Sequence, residues 1–257
     1  MMAETKQLGA ILLVAAAGLA FWQFGDRDSD DTHQVDERIT KVQLAAESAD
    51  ITIKVSNDDK TTVQEKRTYW LWKHGDAYSV KDGVLKLDGD CGWQCRSDFV
   101  VTVPRGTKVT GDNGSGDLSI SGVSGVDAKS RSGKIELDDV SGDVKLDLTS
   151  GDVEIGDLTG KLDVTANSGD ITASGLKGGP VNVQTSSGDI ELGLAEANDV
   201  RAKGTSSDIE VTAPSGGYNV STDTRSGDVD NELGDDPNGS HTIEASTVSG
   251  DIDLRTH

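Results

Sequence analysis

The residues of this sequence with the clearest capacity for chemistry are serines and aspartates that recur in one tripeptide, Ser-Gly-Asp. The tripeptide occurs in the segments "GSGDLSIS", "TSGDVEIG", "ANSGDITASG", "SSGDIELG", "RSGDVDNE" and "VSGDIDLR". Carboxylates at a regular spacing could bind Ca²⁺ weakly through their oxygens. The candidate ligands are Asp152, Asp170, Asp189 and Asp208. A nucleophilic serine would need one unique copy beside a base, and no histidine recurs near the tripeptide.

The preferred interpretation of these aspartates is structural. The residue after each aspartate is apolar and should point inward, so the aspartates should point outward and form a column where repeats stack. Each carboxylate can accept a backbone N–H at its corner, which allows the column to persist without a metal. Calcium-binding nonapeptide coils are the alternative, but their aspartate stands two residues before the apolar strand residue, whereas Asp170 directly precedes Ile171.

A second candidate group is the cysteine pair Cys91 and Cys95 in "GDCGWQCRSD". In an exported chain, two cysteines four residues apart predict a local disulfide, whereas a metal site would need two further soft ligands. Aromatic residues gather in the same region, and Trp70, Trp72 and Trp93 are candidates for partner binding. The preferred role of this aromatic region is a cap that covers the exposed edge of the first repeat.

The elements that position the tripeptides repeat every 17 to 23 residues. The slot between serine and aspartate recurs at Gly116, Gly133, Gly151, Gly169, Gly188, Ser207, Gly227 and Gly250. Ala49 occupies the same slot in "ESADITIKV", and the presence of Ala49 and Ser207 predicts that the slot requires a small residue more than a left-handed backbone. A second glycine series lies half a period away, so each repeat has two corners and two strands.

Apolar residues alternate within these strands, as in Val153 and Ile155, which is the pattern of strands buried on one face. The sequence therefore predicts an all-β fold: a two-sided β-solenoid of 17–23-residue coils, an aromatic, disulfide-containing N-terminal β cap, and one preceding transmembrane helix. A Greek-key sandwich is the alternative, but it needs no fixed period. The segment "LAEANDV" near 194 is a weak helix candidate.

The N-terminal segment 8–24, "LGAILLVAAAGLAFWQF", is the candidate membrane span. Lys6 before it and the acidic "GDRDSDD" after it place the N-terminus in the cytoplasm and the rest outside. A cleaved signal peptide is the alternative. The predicted organisation is a cytoplasmic tail over 1–7, the signal-anchor over 8–24, an acidic stalk over 25–38, the N-terminal β region and cap over 39–105, and the solenoid over 106–257.

The 257-residue chain has a formal net charge of −21, with 34% hydrophobic and 4% aromatic residues. Binding of nucleic acid is not expected, because phosphate recognition requires clustered Lys and Arg. An acidic, well-solvated surface on a thin core fits the composition better.

Together, the N-terminal apolar segment, "CGWQC", "VTVPRG" at 101–106 and the ordered "SGDI" repeats resemble a bacterial "putative-adhesin" family of β-strand-repeat proteins, catalogued as a domain of unknown function. The resemblance covers Ile39 to the C-terminus and implies a β-solenoid at the cell surface, without an established enzyme activity or ligand.

The expected function is that of a non-catalytic cell-envelope protein, a single-pass membrane protein whose extracytoplasmic domain presents an acidic solenoid to another envelope protein or a cell-wall or glycan ligand. The alternative is a membrane-tethered partner of an envelope-stress sensing system. A polysaccharide-active β-helix enzyme is a further alternative, but it needs a clustered acid/base set, whereas these acids are spread evenly. No cofactor is expected apart from the weak Ca²⁺ possibility.

Overall fold

The computed structural model describes residues 27–69, 76–89 and 95–257, and these residues contain 23 strands and no helix. The strands build two sheets, which we call sheet A and sheet B. No helix that could cross a membrane occurs within the described ranges. The predicted span over 8–24 lies outside them.

The order of strands in sheet A is β1-β4-β7-β3-β9-β11-β13-β15-β17-β19-β23-β21. Their bounds are β1 Arg27–Val35, β4 Thr61–Tyr69, β7 Cys95–Pro104, β3 Ile51–Ser56, β9 Leu118–Ser121, β11 Ile135–Val140, β13 Val153–Leu158, β15 Ile171–Leu176, β17 Ile190–Leu194, β19 Ile209–Ala213, β23 Ile252–Thr256 and β21 Val229–Asn231.

The order of strands in sheet B is β20-β22-β18-β16-β14-β12-β10-β8-β2-β6-β5. Their bounds are β20 Tyr218–Ser226, β22 His241–Ser249, β18 Val200–Lys203, β16 Val181–Ser187, β14 Leu162–Ser168, β12 Val144–Ser150, β10 Val126–Ser132, β8 Lys108–Ser115, β2 Lys41–Ser48, β6 Val84–Leu87 and β5 Tyr78–Lys81.

Each coil consists of one sheet B strand, the Ser-Gly-Asp corner, one sheet A strand and a second corner. Coils stack by parallel pairing in register, so that identical positions form columns such as Ile135, Val153, Ile171 and Ile190. These four side chains are at most 1% exposed, and full burial of such a side chain contributes about 1.5–3 kcal/mol. The two-sided β-solenoid predicted from period and alternation is therefore confirmed.

The coils do not stack in chain order at either end of the solenoid. At the N-terminal end, the first coil, β2–β3, lies between the coil β6–β7 and the coil β8–β9. At the C-terminal end, the last coil, β22–β23, lies between β18–β19 and β20–β21. The first and last coils are consequently paired on both sides. The coils next to them in sequence, β6–β7 and β20–β21, lie on their outer sides.

This coil order predicts the pattern of hydrogen exchange at the C-terminal end. Amides of β22, which is bonded between β18 and β20, should exchange more slowly than those of β20, which forms the edge of sheet B. Exchange followed by mass spectrometry can compare peptides covering 241–249 and 218–226. Faster exchange in 241–249 would contradict the inserted position of the last coil and favour stacking in chain order.

The segment considered as a helix candidate is not helical. Residues 195–199 form a loop between β17 and β18, because five residues between two ladder strands leave no room for a stable helix. At the N-terminal end, Asp82 and Gly83 form the turn of a hairpin between β5 and β6, with φ of 52° and 74° at the two residues.

The N-terminal region extends both sheets beyond the β6–β7 coil. In sheet A, β4 pairs antiparallel with β7 and β1 pairs antiparallel with β4, while β5 extends sheet B. Residues 27–35, within the segment expected to be an acidic stalk, thus form a paired strand. The acidic side chains find partners across the ladder, since Asp30 accepts from Gln64 at 2.9 Å and Asp28 accepts from Thr68 at 2.9 Å.

Candidate functional site

The Ser-Gly-Asp aspartates form an aligned series along one corner of the solenoid. In most coils the Oδ1 atom accepts the backbone N–H of the residue in the same slot of the next coil, at 2.8–3.0 Å. The series runs through Asp50, Asp117, Lys134, Asp152, Asp170, Asp189, Asp208, Asp251 and Asp228. The predicted acceptance of a backbone N–H is confirmed, with the donor belonging to the neighbouring coil.

This geometry gives the carboxylates a role in coil stacking. Asp170 accepts from Asp189 N at 2.9 Å and itself donates its backbone N–H to Asp152 at 3.0 Å. Charges one coil apart repel by about 1 kcal/mol in water, and a hydrogen bond to a charged group is worth about 1.5–3 kcal/mol, so each hydrogen bond outweighs the repulsion between neighbouring carboxylates. Within the described residues, no group of three or more His, Cys, Asp or Glu is arranged to hold a metal ion.

Lys134 is the one basic residue in this series. Its backbone N–H donates to Asp117 at 2.9 Å, while its ammonium contacts Glu154 Oε2 at 2.7 Å. The hydrogen bond to Glu154, together with the charge of that carboxylate, raises the pKa of Lys134. Lys134 therefore reduces the repulsion between the acidic residues on either side of it.

Asp170 allows the stacking role to be tested. Replacement of Asp170 by Ala removes the acceptor of the Asp189 N–H, and we expect the free energy of unfolding to fall by about 1 kcal/mol. The matched variant Asp170→Asn retains an acceptor oxygen and should lose less. Thermal unfolding with millimolar Ca²⁺ or with EDTA should give the same midpoint for the parent. A rise with Ca²⁺ that disappears in the double variant Asp152→Asn, Asp170→Asn would show instead that the series binds the cation.

The glycine slot proves to be both crowded and left-handed. Its glycines have φ between 111° and 154°, and a Cβ built on Gly169 would lie 2.1 Å from the carbonyl oxygen of Gly151. The expectation that smallness matters more than backbone conformation is therefore wrong for the glycine-bearing coils. Ala49 and Ser207 fit because neither has a positive φ.

The outward faces of the two sheets differ in charge. On sheet A, one outward column along the register reads Glu136, Glu154, Thr172, Glu191, Glu210, Asp253 and Asp230. On sheet B, the corresponding column reads Asp127, Lys145, Asp163, Asn182, Arg201 and Glu244. Sheet A thus presents acidic groups at coil spacing, whereas the charges on sheet B alternate and compensate one another.

Hydrogen bonds accompany this compensation on sheet B. Arg201 donates from Nε to Glu244 at 3.0 Å, and this hydrogen bond lowers the pKa of Glu244. Lys161 contacts Asp163 at 3.0 Å. On sheet A, Glu154 pairs with Lys134 as described above, and Arg255 contacts Glu210 at 3.0 Å and Asp253 at 3.6 Å. Glu136 and Glu191 have no ion pair within the described residues.

A shallow groove of ≈ 480 Å³ lies on the outer face of sheet A. Its polar lining consists of Ser119, Ser121, Glu136, Asp138, Glu154, Thr172 and Ser174. Hydroxyls and carboxylates in a wide, open groove can accept hydrogen bonds from amine or guanidinium donors. Within the described residues, no histidine forms a hydrogen bond to a Ser-Gly-Asp serine.

A buried ionic cluster that was not predicted from the sequence lies on the inward side of β4, near the N-terminal edge of sheet A. Glu65 and Arg67 are 0% and 2% exposed. Glu65 Oε1 accepts hydrogen bonds from Ser97 Oγ at 2.9 Å and from Ala77 N at 3.2 Å, and it lies 3.3 Å from Arg67 Nε. Arg67 Nη2 also contacts Asp31 at 2.8 Å. A signal existed: both charges occupy the inward phase of β4, after the buried Val63.

The remaining candidates from the sequence lie outside the described residues, namely Trp70, Trp72, Trp93 and Cys91. Cys95 begins β7, and its predicted disulfide with Cys91 stays a prediction. Of the other aromatic residues in this region, Phe99 is buried and Tyr78 is half-buried. Burial, reinforced by the charges of Asp76 and Glu65, raises the pKa of Tyr78.

Residues 39–255 match the Toastrack DUF4097 family, and the chain belongs to that family. The β-repeat family predicted from the motifs is thereby confirmed. No curated protein matches the sequence.

Three solved structures are similar to the chain. A putative adhesin from Bacteroides fragilis NCTC 9343 is 14% identical, with a TM-score of 0.45 over 89% of this chain and 97% of the other. A putative cell adhesion protein from Clostridium sporogenes ATCC 15579 is 14% identical, with a TM-score of 0.30 over 90% and 100%. A putative adhesin from Parabacteroides merdae ATCC 43184 is 11% identical, with a TM-score of 0.33 over 90% and 96%.

Proposed function

We propose that this chain is a non-catalytic cell-envelope protein that binds a cationic envelope partner through the outer face of sheet A. Segment 8–24 tethers the protein to the membrane, the solenoid lies outside the cytoplasm, and the Cys91–Cys95 disulfide belongs to that oxidising location. The observation that carries the proposal is the acidic column on sheet A, which has no equivalent on sheet B.

The column suits a partner with amines or guanidinium groups at regular intervals. Apart from Thr172, its positions carry carboxylates at the coil spacing of about 4.8 Å. Glu136 and Glu191, which have no ion pair within the described residues, remain available to an incoming cation. The stacked coils hold these residues on rigid strands. On binding, their side chains therefore only need to adopt suitable rotamers. The negative field of the chain further accelerates encounter with a positive surface.

Two triple variants with the same change in net charge test this assignment. The sheet A variant carries Glu136→Gln, Asp138→Asn and Glu191→Gln, while the sheet B control carries Asp127→Asn, Asp147→Asn and Asp163→Asn. Exposed ion pairs contribute about 0.5 kcal/mol each, so the sheet A variant should bind an immobilised poly-lysine surface about ten-fold more weakly. The control should change binding much less.

The same two variants should differ in the capture of basic proteins from detergent-solubilised envelopes. Equal weakening in both would show that net charge alone governs binding, and the assignment to sheet A would then be wrong. If the parent and the control selectively captured a wall polymer and no basic protein, the partner would be a polymer instead of a protein.

A further inference from the structure

The end of the solenoid opposite the β1 edge is formed by β20 and β21, which are the last strands of sheets B and A. Nothing in the described part of the chain adds a strand beyond them. β20 is nine residues long and pairs with β22 on one side only. Long strand edges of this kind pair readily with another strand unless they are covered or blocked by charge.

The hydrophobic core is only partly covered at this end, where Tyr218 of β20 is buried but Val229 of β21 is exposed. Val229 continues the inward column of Ile209 and Ile252, which are 1% and 0% exposed, yet Val229 is 44% exposed. Val248, on the outward side of β22 in sheet B, is also 44% exposed. These are the two large hydrophobic side chains that are exposed in the described residues, so the exposed apolar groups are confined to the last two layers.

Part of the β20 edge is occupied by the chain itself. Asp236 N donates to Tyr218 O at 2.8 Å, and Val220 N donates to Asp235 Oδ1 at 3.1 Å. Backbone groups alternate in direction along a strand, so Thr222 and Thr224 direct their N–H and C=O groups to the same open side. The available edge is therefore centred on these two threonines.

The charges beside this edge favour the pairing of β20 with β20 of a second copy of the chain. Asp223 and Arg225 are both exposed, and neither forms an ion pair within the described residues. In an antiparallel pair of identical strands with Thr224 opposite Thr224, Asp223 of each copy lies opposite Arg225 of the other. A register shifted by two residues would place Asp223 opposite Asp223, which is destabilising.

We propose that two copies of this chain associate end to end by antiparallel pairing of β20 with β20 around Thr224. A two-fold axis perpendicular to the sheets also brings β21 alongside its counterpart, so that Val229 becomes covered. The contact involves only the solenoid ends, and most of the net charge of each copy lies beyond the screening length of about 8 Å. The opposite end is less suited, because its edge strand β1 carries Asp28, Asp30 and Asp31. This association is independent of the partner proposed for sheet A.

Cysteine crosslinking of the full chain in detergent tests the register. The Thr224 Cα atoms should lie about 5.5 Å apart across the two-fold axis, within disulfide reach, whereas the two copies of Asn219 should be about 34 Å apart along the strand. Under mild oxidation, Thr224→Cys should form dimers about ten-fold faster than Asn219→Cys, because only the first pair satisfies disulfide geometry. The unsubstituted chain, which retains Cys91 and Cys95, reports any background dimer.

A charge exchange completes the test. In the Thr224→Cys chain, Asp223→Arg should slow crosslinking about five-fold, since it places two arginines opposite each other. Addition of Arg225→Asp to that variant should restore the rate, because the ion pairs reform with exchanged positions. Equal crosslinking rates for Thr224→Cys and Asn219→Cys, or no recovery of the rate in the exchanged variant, would overturn the proposed self-association. A strand of another protein would then be the partner for this edge.

Discussion

Replacement of Gly169 by Ala should lower the free energy of unfolding by more than about 3 kcal/mol. The added Cβ would lie 2.1 Å from the oxygen and 2.6 Å from the carbon of the Gly151 carbonyl, and the backbone has a φ of 125°. Both atoms belong to the backbone of the neighbouring coil, so no side-chain rotation can relieve the contact. Relief would require adjacent coils to separate, with the loss of ladder hydrogen bonds in both sheets.

Two other glycines separate crowding from backbone conformation. Gly106 and Gly234 also have positive φ, 85° and 75°, but a Cβ at either position would meet no atom within 4 Å. Alanine there should cost about 1 kcal/mol, which is the conformational term alone. Urea unfolding of residues 27–257 followed by far-UV circular dichroism gives the three values. Equal losses at the three positions would mean that the corner is not crowded enough to select glycine.

Ser207 supplies a contrasting result in the same slot. It is 3% exposed, its φ is not positive, and its hydroxyl has no hydrogen-bond partner among the residues that the structure describes. Ser207→Ala removes a buried polar group without adding atoms, so stability should stay the same or increase slightly. The slot thus accepts a Cβ only where the local backbone turns differently.

The solenoid could be predicted from the sequence because its determinants are local. Alternation within a strand decides which face is buried, as for Val153 and Ile155, and the Ser-Gly-Asp period repeats that choice in every coil. The direction of the aspartates followed from the same alternation. The placement of residues that follow a repeating local pattern can be predicted without knowledge of the rest of the chain.

The coil order at the ends could not be predicted in the same way. Most coils share a similar corner and a similar inward pattern, so Ile252 can stack on Ile209 as well as Val229 could. The choice depends on which coil buries more apolar surface, and the coil 218–231 presents Thr222 inward where the last coil has Ala245 and the preceding coils have Ala202 and Val183. That comparison involves segments that are far apart in the sequence. Its only indication in the sequence is that the last two spacings between slot residues are longer than the usual 17–19 residues.

Strand β1 was missed for a related reason. Its acidic composition suggests a solvated segment, and only the residues opposite it, such as Gln64, Arg67 and Thr68, make pairing favourable. Long-range complementarity of this kind has no periodic signature. The buried cluster differs, since the inward position of Glu65 and Arg67 in β4 was available from alternation alone.

Arg67→Met should destabilise the N-terminal region by about 3–5 kcal/mol. The substitution preserves much of the side-chain volume but leaves the 0% exposed Glu65 carboxylate without the guanidinium that lies 3.3 Å from it. Ser97 and Ala77 still donate to Glu65 Oε1, but neutral donors compensate a buried charge only in part. Oε2 is already buried without a hydrogen-bond partner within the described residues.

Arg96→Met is the matched control for this prediction. Arg96 contacts Asp50 at 2.8 Å, but its side chain is 51% exposed, so water replaces the lost partner and the cost should stay below about 1 kcal/mol. The double variant Glu65→Leu, Arg67→Met removes both buried charges and should recover most of the loss, because apolar residues of similar volume can replace a buried ion pair. The free energies of unfolding of the three variants, measured in urea, test this prediction. Equal costs for Arg67→Met and Arg96→Met, or a double variant that is less stable than Arg67→Met, would show that burial of the pair does not govern the stability of this edge.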